Sequence, residues 1–417
     1  MCMKRLALLL CLLSLPLCAC GGGERAMGSY RVITASDLHY LAPSLTDHGA
    51  LFTELVDNAD GKLMHYIEEL TDAFLNEAIA QKPEALILTG DLTFNGETAS
   101  HEALAEKLRA VEAAGVPVLV VPGNHDLDNA SAAAFSGESS SRVPSASAED
   151  FRRIYAAFGY DGALSEDPDS LSYAAALNDT TRVLLLDFNT RHDPCGISRK
   201  SLKWVKAQLE DARRAGVHVL AAGHQNLFQQ TMFREGYVIA GAEKLAALFR
   251  DFDVPLYLSG HLHCQHWKTE KGLTEIATSA LSVSPCQYGV LTCDKSGIHY
   301  ETRETDVSAR AESRRKTDPA LRDFASYAAD YFDARGRRQV PENLALFPYT
   351  PEETDRLTEY MVALNRMYFS GDLREAEALD PDGGLQTLWE RSPSLYGAYL
   401  ASIRPDFGMD YRVWDGP

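Results

Sequence analysis

The chain has 417 residues, 45% hydrophobic and 24% charged, enough apolar material for a large core, which excludes a disordered, collagen-like or disulfide-stapled miniprotein. A net charge of −19, from 59 acidic against 40 basic residues, excludes a general nucleic-acid or anionic-surface scaffold. A small phosphate ester is still an acceptable ligand if metal ions supply local positive charge.

The N-terminus reads as an export signal. Lys4 and Arg5 precede an apolar run over 6–17, broken by Ser14 and Pro16 and too short for the ~20 residues of a membrane span. Leu17-Cys18-Ala19-Cys20 followed by Gly21, Gly22 and Gly23 resembles the lipobox of bacterial lipoproteins. That resemblance implies removal of residues 1–19, a lipid on Cys20, a tether over 20–30, and an extracytoplasmic protein anchored to the membrane. The plainer reading is a soluble secreted chain cut near Ala19. No second long apolar run follows. Cys195, Cys264, Cys286 and Cys293 remain downstream. They allow three disulfide pairings or none, and the absence of a CxxC pair removes thioredoxin-like and cysteine-zinc readings.

Five short apolar runs each lead into polar residues able to bind metal. Residues 31–36 lead to Asp37 and His39, 85–90 to Asp91, and 116–123 to Asn124, His125 and Asp126. Residues 217–223 lead to His224, and 254–260 to His261 and His263. The runs lack sustained polar alternation, as strands buried on both faces do. Helical spacing over 60–80, 100–114 and 198–215 separates several of them, with Gly115 and Gly216 placed as C-terminal stops. Strands alternating with helices imply a layered α/β sheet with its ligand at the carboxyl ends of the strands. Residues 128–148, rich in Ser and Ala, read as a surface loop, either a passive insertion or a lid. Beyond Thr305 the pattern turns helical: one stripe runs from Leu321 to Phe332. Thr350-Pro351-Glu352-Glu353 forms a capping-box sequence before a second stripe that stops near Gly371.

The residue types suit borderline or harder divalent ions such as Mn, Fe, Zn or Ni. Strand alternation would point Asp37 and His39 the same way, and likewise His261 and His263. Asp37-x-His39, Gly90-Asp91, Gly123-Asn124-His125-Asp126, Gly223-His224 and Gly260-His261-x-His263 together resemble the signature of the calcineurin-like metallophosphoesterases, in that family's order. The resemblance implies a four-layer α/β/β/α sandwich over 31–306; the helical accessory region over 307–417 lies outside the shared motifs and is read from its own apolar stripes. The resemblance also implies two divalent ions, the first on Asp37, His39 and His263, the second on Asn124, His224 and His261, with Asp91 bridging. His125 would be the catalytic non-ligand histidine and Asp126 the carboxylate orienting it. The activity implied is hydrolysis of a phosphate ester, mono- or diester; the alternative is a binding lipoprotein that captures a phosphorylated ligand without turnover.

The remaining histidines, His48, His65, His101, His192, His218, His266 and His299, read as structural or exposed. Asn95 could touch phosphate or serve a turn, and Cys264 reads as a buried thiol. Gln225 and Asn226 stand where many relatives carry His-Pro or similar. The aromatic tail reads as core against the catalytic domain, or as a cap that selects substrate.

Overall fold

A computed structural model describes residues 28–190, 195–390 and 395–416. The segment expected to be an export signal, Cys20 and His192 lie outside the described residues. Among those described, no helix is long and apolar enough to cross a membrane.

Two mixed sheets stack face to face. The first has six strands in the order Val413–Gly416, Gly297–Glu304, Gln287–Asp294, Tyr30–Ala35, Ala85–Thr89, Val118–Val121. The second has seven, in the order His266–Glu270, Leu273–Ala277, Leu256–Ser259, His218–Gly223, Thr181–Leu186, Tyr173–Asn178, Ser165–Glu166. All five apolar runs form strands: Tyr30–Ala35, Ala85–Thr89 and Val118–Val121 are parallel neighbours, as are His218–Gly223 and Leu256–Ser259. Their burial explains the missing alternation. In Thr181–Leu186, Val183 and Leu185 join the core shared with the first sheet, whereas Leu184 and Leu186 pack with Trp204, Val205 and Leu245 of the outer helices. Each face of the strand has its own apolar layer to fill. Helices Ile67–Gln81 and Thr98–Ala113 cover the first sheet; Arg199–Ala215 and Ala242–Asp251 cover the second. The result is the expected four-layer α/β sandwich with C-terminal helices.

Several boundaries differ from expectation. The helix expected from residue 60 begins at Ile67, after a single turn at Met64–Tyr66. Gly61 takes φ +91°, and Lys62 pairs with Val283, which pulls this segment away from the helix axis. Within 128–148 the loop contains a hairpin, Ala133–Ser136 against Ser139–Arg142, tied down where Asp47 accepts a bond from the Gly137 amide. The stripe at 321–332 is two helices, Pro319–Arg322 and Phe324–Leu344, broken at Asp323. Helix Pro351–Ser370 has the reciprocal Thr350–Glu353 capping box and ends at Gly371 with φ +80°. The C-terminal stretch is not wholly helical: Val413–Gly416 returns to pair with Gly297–Glu304, Tyr300 opposite Trp414. The four internal cysteines are free and buried.

Candidate metal centre

The site gathers where the parallel strands of both sheets run out. Asp37 and His39 follow Ala35, Asp91 follows Gly90, and His261 and His263 follow Gly260. These five residues do not lie in strands, and alternation does not align them. Each has a left-handed backbone, with φ 55°, 47°, 49°, 69° and 61° in chain order. Such values are uncommon outside glycine and cluster at functional sites. Amide hydrogen bonds from Asp37 to Gly90 (3.0 Å) and from His39 to Asp91 (2.9 Å) lock the first two loops together. Two glycines permit the close approach. A Cβ on Gly123 would lie 2.1 Å from Asp91 Oδ1, and one on Gly260 would lie 1.7 Å from Ser36 Oγ.

The side chains converge in two groups that meet at Asp91. On one side Asp37 Oδ1 and His263 Nε2 are 3.3 Å apart, and His39 Nε2 lies 3.5 Å from His263 Nε2. On the other, His224 Nε2 lies 3.1 Å from Asn124 Oδ1 and 3.2 Å from His261 Nδ1. Asp91 Oδ2 reaches both, 3.8 Å from His39 Nε2 and 3.3 Å from His224 Nε2. The groups Asp37–His39–His263 and Asp91–His224–His261 each bring one donor atom per residue within 4.8 Å of the others.

Second partners set which ring nitrogen faces inward. His224 Nδ1 donates to the Thr89 carbonyl at 2.8 Å, leaving Nε2 as a donor to metal. His261 Nε2 donates to the Gly236 carbonyl at 3.1 Å, leaving Nδ1. Asp37 Oδ1 is buried without a hydrogen-bond partner, although its Oδ2 accepts from the His261 amide. Burial opposes ionisation of Asp91, but the facing imidazoles, His224 foremost, hold its carboxyl well below the usual range. An orphaned carboxylate oxygen, imidazole nitrogens turned inward on one another and a shared carboxylate are what a pair of divalent cations requires. The residues fit that group.

His125 stands at the edge, its side chain 31% exposed and Nε2 4.0 Å from Asp91 Oδ2. Its Nδ1 donates to the Phe94 carbonyl at 2.8 Å, with Asn95 Oδ1 at 3.2 Å. Asp126 does not orient it, which corrects the expectation from sequence. The Asp126 carboxylate instead accepts from the Leu92, Thr93 and Gly123 amides and the Thr93 hydroxyl, at 2.8–3.1 Å. It shapes the Asp91 loop; the next-residue position placed it behind the turn rather than behind the imidazole. Gln225 approaches Asn124 Oδ1 at 3.4 Å and bonds Asn189, so the departure at this position supports a ligand. His101 is buried against Tyr155 and the Asp126 carbonyl, as a structural histidine should be.

A cavity of about 550 Å³ opens on Asp91, Asn124, His125, His261 and His263. Its opposite wall comes from the C-terminal helices, with Phe332, Tyr368, Phe369 and Tyr399 among its residues. Tyr237 supplies a further side, its ring 4.7 Å from that of His261. Sequence patterning singled out neither Tyr237 nor Lys62, which also lines the cavity. Both lie in irregular segments with no periodic signal. Buried Glu275 was missed for the opposite reason, since it sits inside a short, fully buried strand, Leu273–Ala277.

Residues 30–265 match the family model of the calcineurin-like phosphoesterases, and residues 306–410 match that of the C-terminal domain of cyclic nucleotide phosphodiesterase. A "probable cyclic nucleotide phosphodiesterase" from Ruthia magnifica subsp. Calyptogena magnifica is 40% identical over 55 residues, which is 13% of this chain and 22% of that protein. Among solved structures, a dimetal phosphatase from Danio rerio aligns at 16% identity and TM-score 0.49, covering 66% of this chain and 96% of its own. A purple acid phosphatase from Lupinus luteus seeds aligns at 14% and 0.45, covering 68% and 52%.

Proposed function

Because this chain belongs to the calcineurin-like phosphoesterases and so hydrolyses phosphate esters with two divalent metal ions, we propose that its substrate is a phosphodiester of the cyclic-nucleotide kind. One observation carries this reading: the region resembling the C-terminal domain of cyclic nucleotide phosphodiesterase walls the cavity that opens on His125, His261 and His263. An aromatic wall facing a dimetal centre suits a substrate with a flat, apolar part beside its phosphate.

We assign Asp37, His39 and His263 to one ion, Asn124, His224 and His261 to the other, and the bridge to Asp91. Held by these residues, such ions would supply Lewis acidity and lower the pKa of a bound water towards ~7. His125 is the proton donor to the departing oxygen, because the Phe94 carbonyl holds its Nδ1–H and leaves Nε2 to the cavity. We also propose that the protein is exported and held at the membrane by a lipid on Cys20.

The test is hydrolysis of a cyclic nucleotide, an aryl diester and an aryl monoester by a chain starting at Gly21, with Mn added or chelated. Metal-dependent diester turnover is expected, and Asp91→Asn should lower it by more than the ~10–100-fold typical of an outer-shell partner, with loss of bound metal. Turnover of the monoester alone would remove the diesterase reading. For location, Cys20→Ala should release the protein from the membrane fraction; a variant that stays bound removes the anchor.

A further inference from the structure

The cavity carries a cation that the metal ligands do not explain. Lys62 is only 6% exposed, unusual for a lysine, and its Nζ lies 2.5 Å from Asp60 Oδ2. Lys62 is held there by its own backbone, through the pairing with Val283 and a 2.8 Å bond from the Leu63 amide to the Ser282 carbonyl. The same cavity is lined by Arg335 of helix Phe324–Leu344, whose Nε donates to the Ala59 carbonyl at 2.9 Å. Tyr331 of the same helix bonds the Val56 carbonyl and the Asp57 carboxylate, so the helix clasps this loop at more than one point.

Lys62, Arg335 and His125 line the main cavity together, and the same three line a second opening beside Asn95. Both openings therefore meet at these side chains. A buried ammonium beside a site for two divalent cations is unfavourable unless an anion arrives there, and Asp60, 42% exposed at its side chain, is a counter-ion partly in water.

We propose that Lys62 and Arg335 form a clamp for the oxyanion of a phosphoryl group, holding the non-bridging oxygens of the substrate and of free phosphate beside His125. An ammonium contributes a compact point charge and a guanidinium a planar fork, so the pair suits a tetrahedral oxyanion. The C-terminal helices then bind the reacting group as well as walling the cavity. This inference rests on the phosphoester-hydrolase assignment and not on the cyclic-nucleotide reading.

The experiment uses the Mn-loaded protein starting at Gly21, with inorganic phosphate titrated by calorimetry and as a competitive inhibitor of aryl-diester hydrolysis. Lys62→Met should weaken phosphate binding on the order of tenfold and raise KM for the ester in step, with metal content unchanged. Arg335→Gln should act in the same direction, and Lys62→Arg should recover most of the loss. Asp60→Asn combined with Lys62→Met separates a phosphate contact from mere neutralisation of Asp60. Continued weak binding in the double variant supports the clamp, and recovery overturns it. Unchanged phosphate affinity in Lys62→Met and Arg335→Gln also overturns it. Failure of the cyclic-nucleotide reading would show separately, as wild-type protein that hydrolyses the aryl diester but no cyclic nucleotide.

Discussion

Glu275 is fully buried behind the metal centre and accepts four hydrogen bonds, from Asn226 Nδ2, the Leu227 and Phe228 amides and the Ser259 hydroxyl. Those bonds tie the segment after His224 to the strand before His261. Burial nevertheless dominates and raises the carboxyl from 4.5 to about 7. The folded state therefore holds a proton that the unfolded chain has released, so this group's contribution to stability is greatest below about pH 4.5 and declines as pH rises to about 7. The decline amounts to roughly 3 kcal/mol at ~1.4 kcal/mol per pKa unit. Urea midpoints of wild type and Glu275→Gln across this range should converge or cross as pH rises, because the glutamine cannot titrate. Parallel curves would show that Glu275 keeps its ordinary pKa. The substituted side chain would also turn an amide donor toward a backbone N–H, costing about 1–3 kcal/mol at every pH.

The loops after the strands hold the candidate metal ligands because two chain segments from different sheets touch there. Ser36, at the end of Tyr30–Ala35, donates to the Thr89 carbonyl, and Gly260, after Leu256–Ser259, lies against it. Gly260→Ala would drive a methyl into Ser36 Oγ and to 2.7 Å from Asp37 Oδ2. The expected cost is about 1–3 kcal/mol by urea unfolding, with reduced metal content, since the shift falls on a ligand. Gly384→Ala is the control: it opens the helix Gly384–Glu390, nothing lies within 4 Å of its added Cβ, and its φ is ordinary. That change should be neutral. A Gly260→Ala protein with unaltered stability and metal content would mean that the two loops separate freely.

The first helices of the C-terminal region and its last strand share a core with the sandwich, while residues from Val340 to Tyr411 form a cluster of their own. Val307, Ala311, Leu321, Phe324 and Ala328 belong to the same apolar cluster as Val32, Leu70 and Tyr288, and Trp414 joins it from the last strand. Deleting residues 307–417 would expose that surface and leave the edge of Gly297–Glu304 unpaired, an invitation to intermolecular strand pairing. The truncated protein should be recovered in the insoluble fraction. A soluble, active fragment would instead show that the C-terminal helices are a separable docking module.

The fold and most of the residues gathered at the candidate metal centre were legible along the chain because both arise from local chemistry. A strand buried on both faces must be apolar throughout, a sharp turn at its end favours glycine, and a metal needs Asp, Asn or His immediately beyond. Gly90-Asp91, Gly223-His224 and Gly260-His261 state all three conditions within a few residues. Capping worked in the same way at Thr350 and Glu353. Tertiary structure alone decided the rest, because direction and distance in space have no signature in spacing. The left-handed backbones at Asp37 and His263, rather than strand alternation, aim those ligands. The carboxylate of Asp126, adjacent to His125 in sequence, turns the other way because nearby backbone amides and the Thr93 hydroxyl claim it. Lys62 and Arg335, 273 positions apart, meet on one cavity only because a helix from the far end of the chain packs across the loop that carries the lysine.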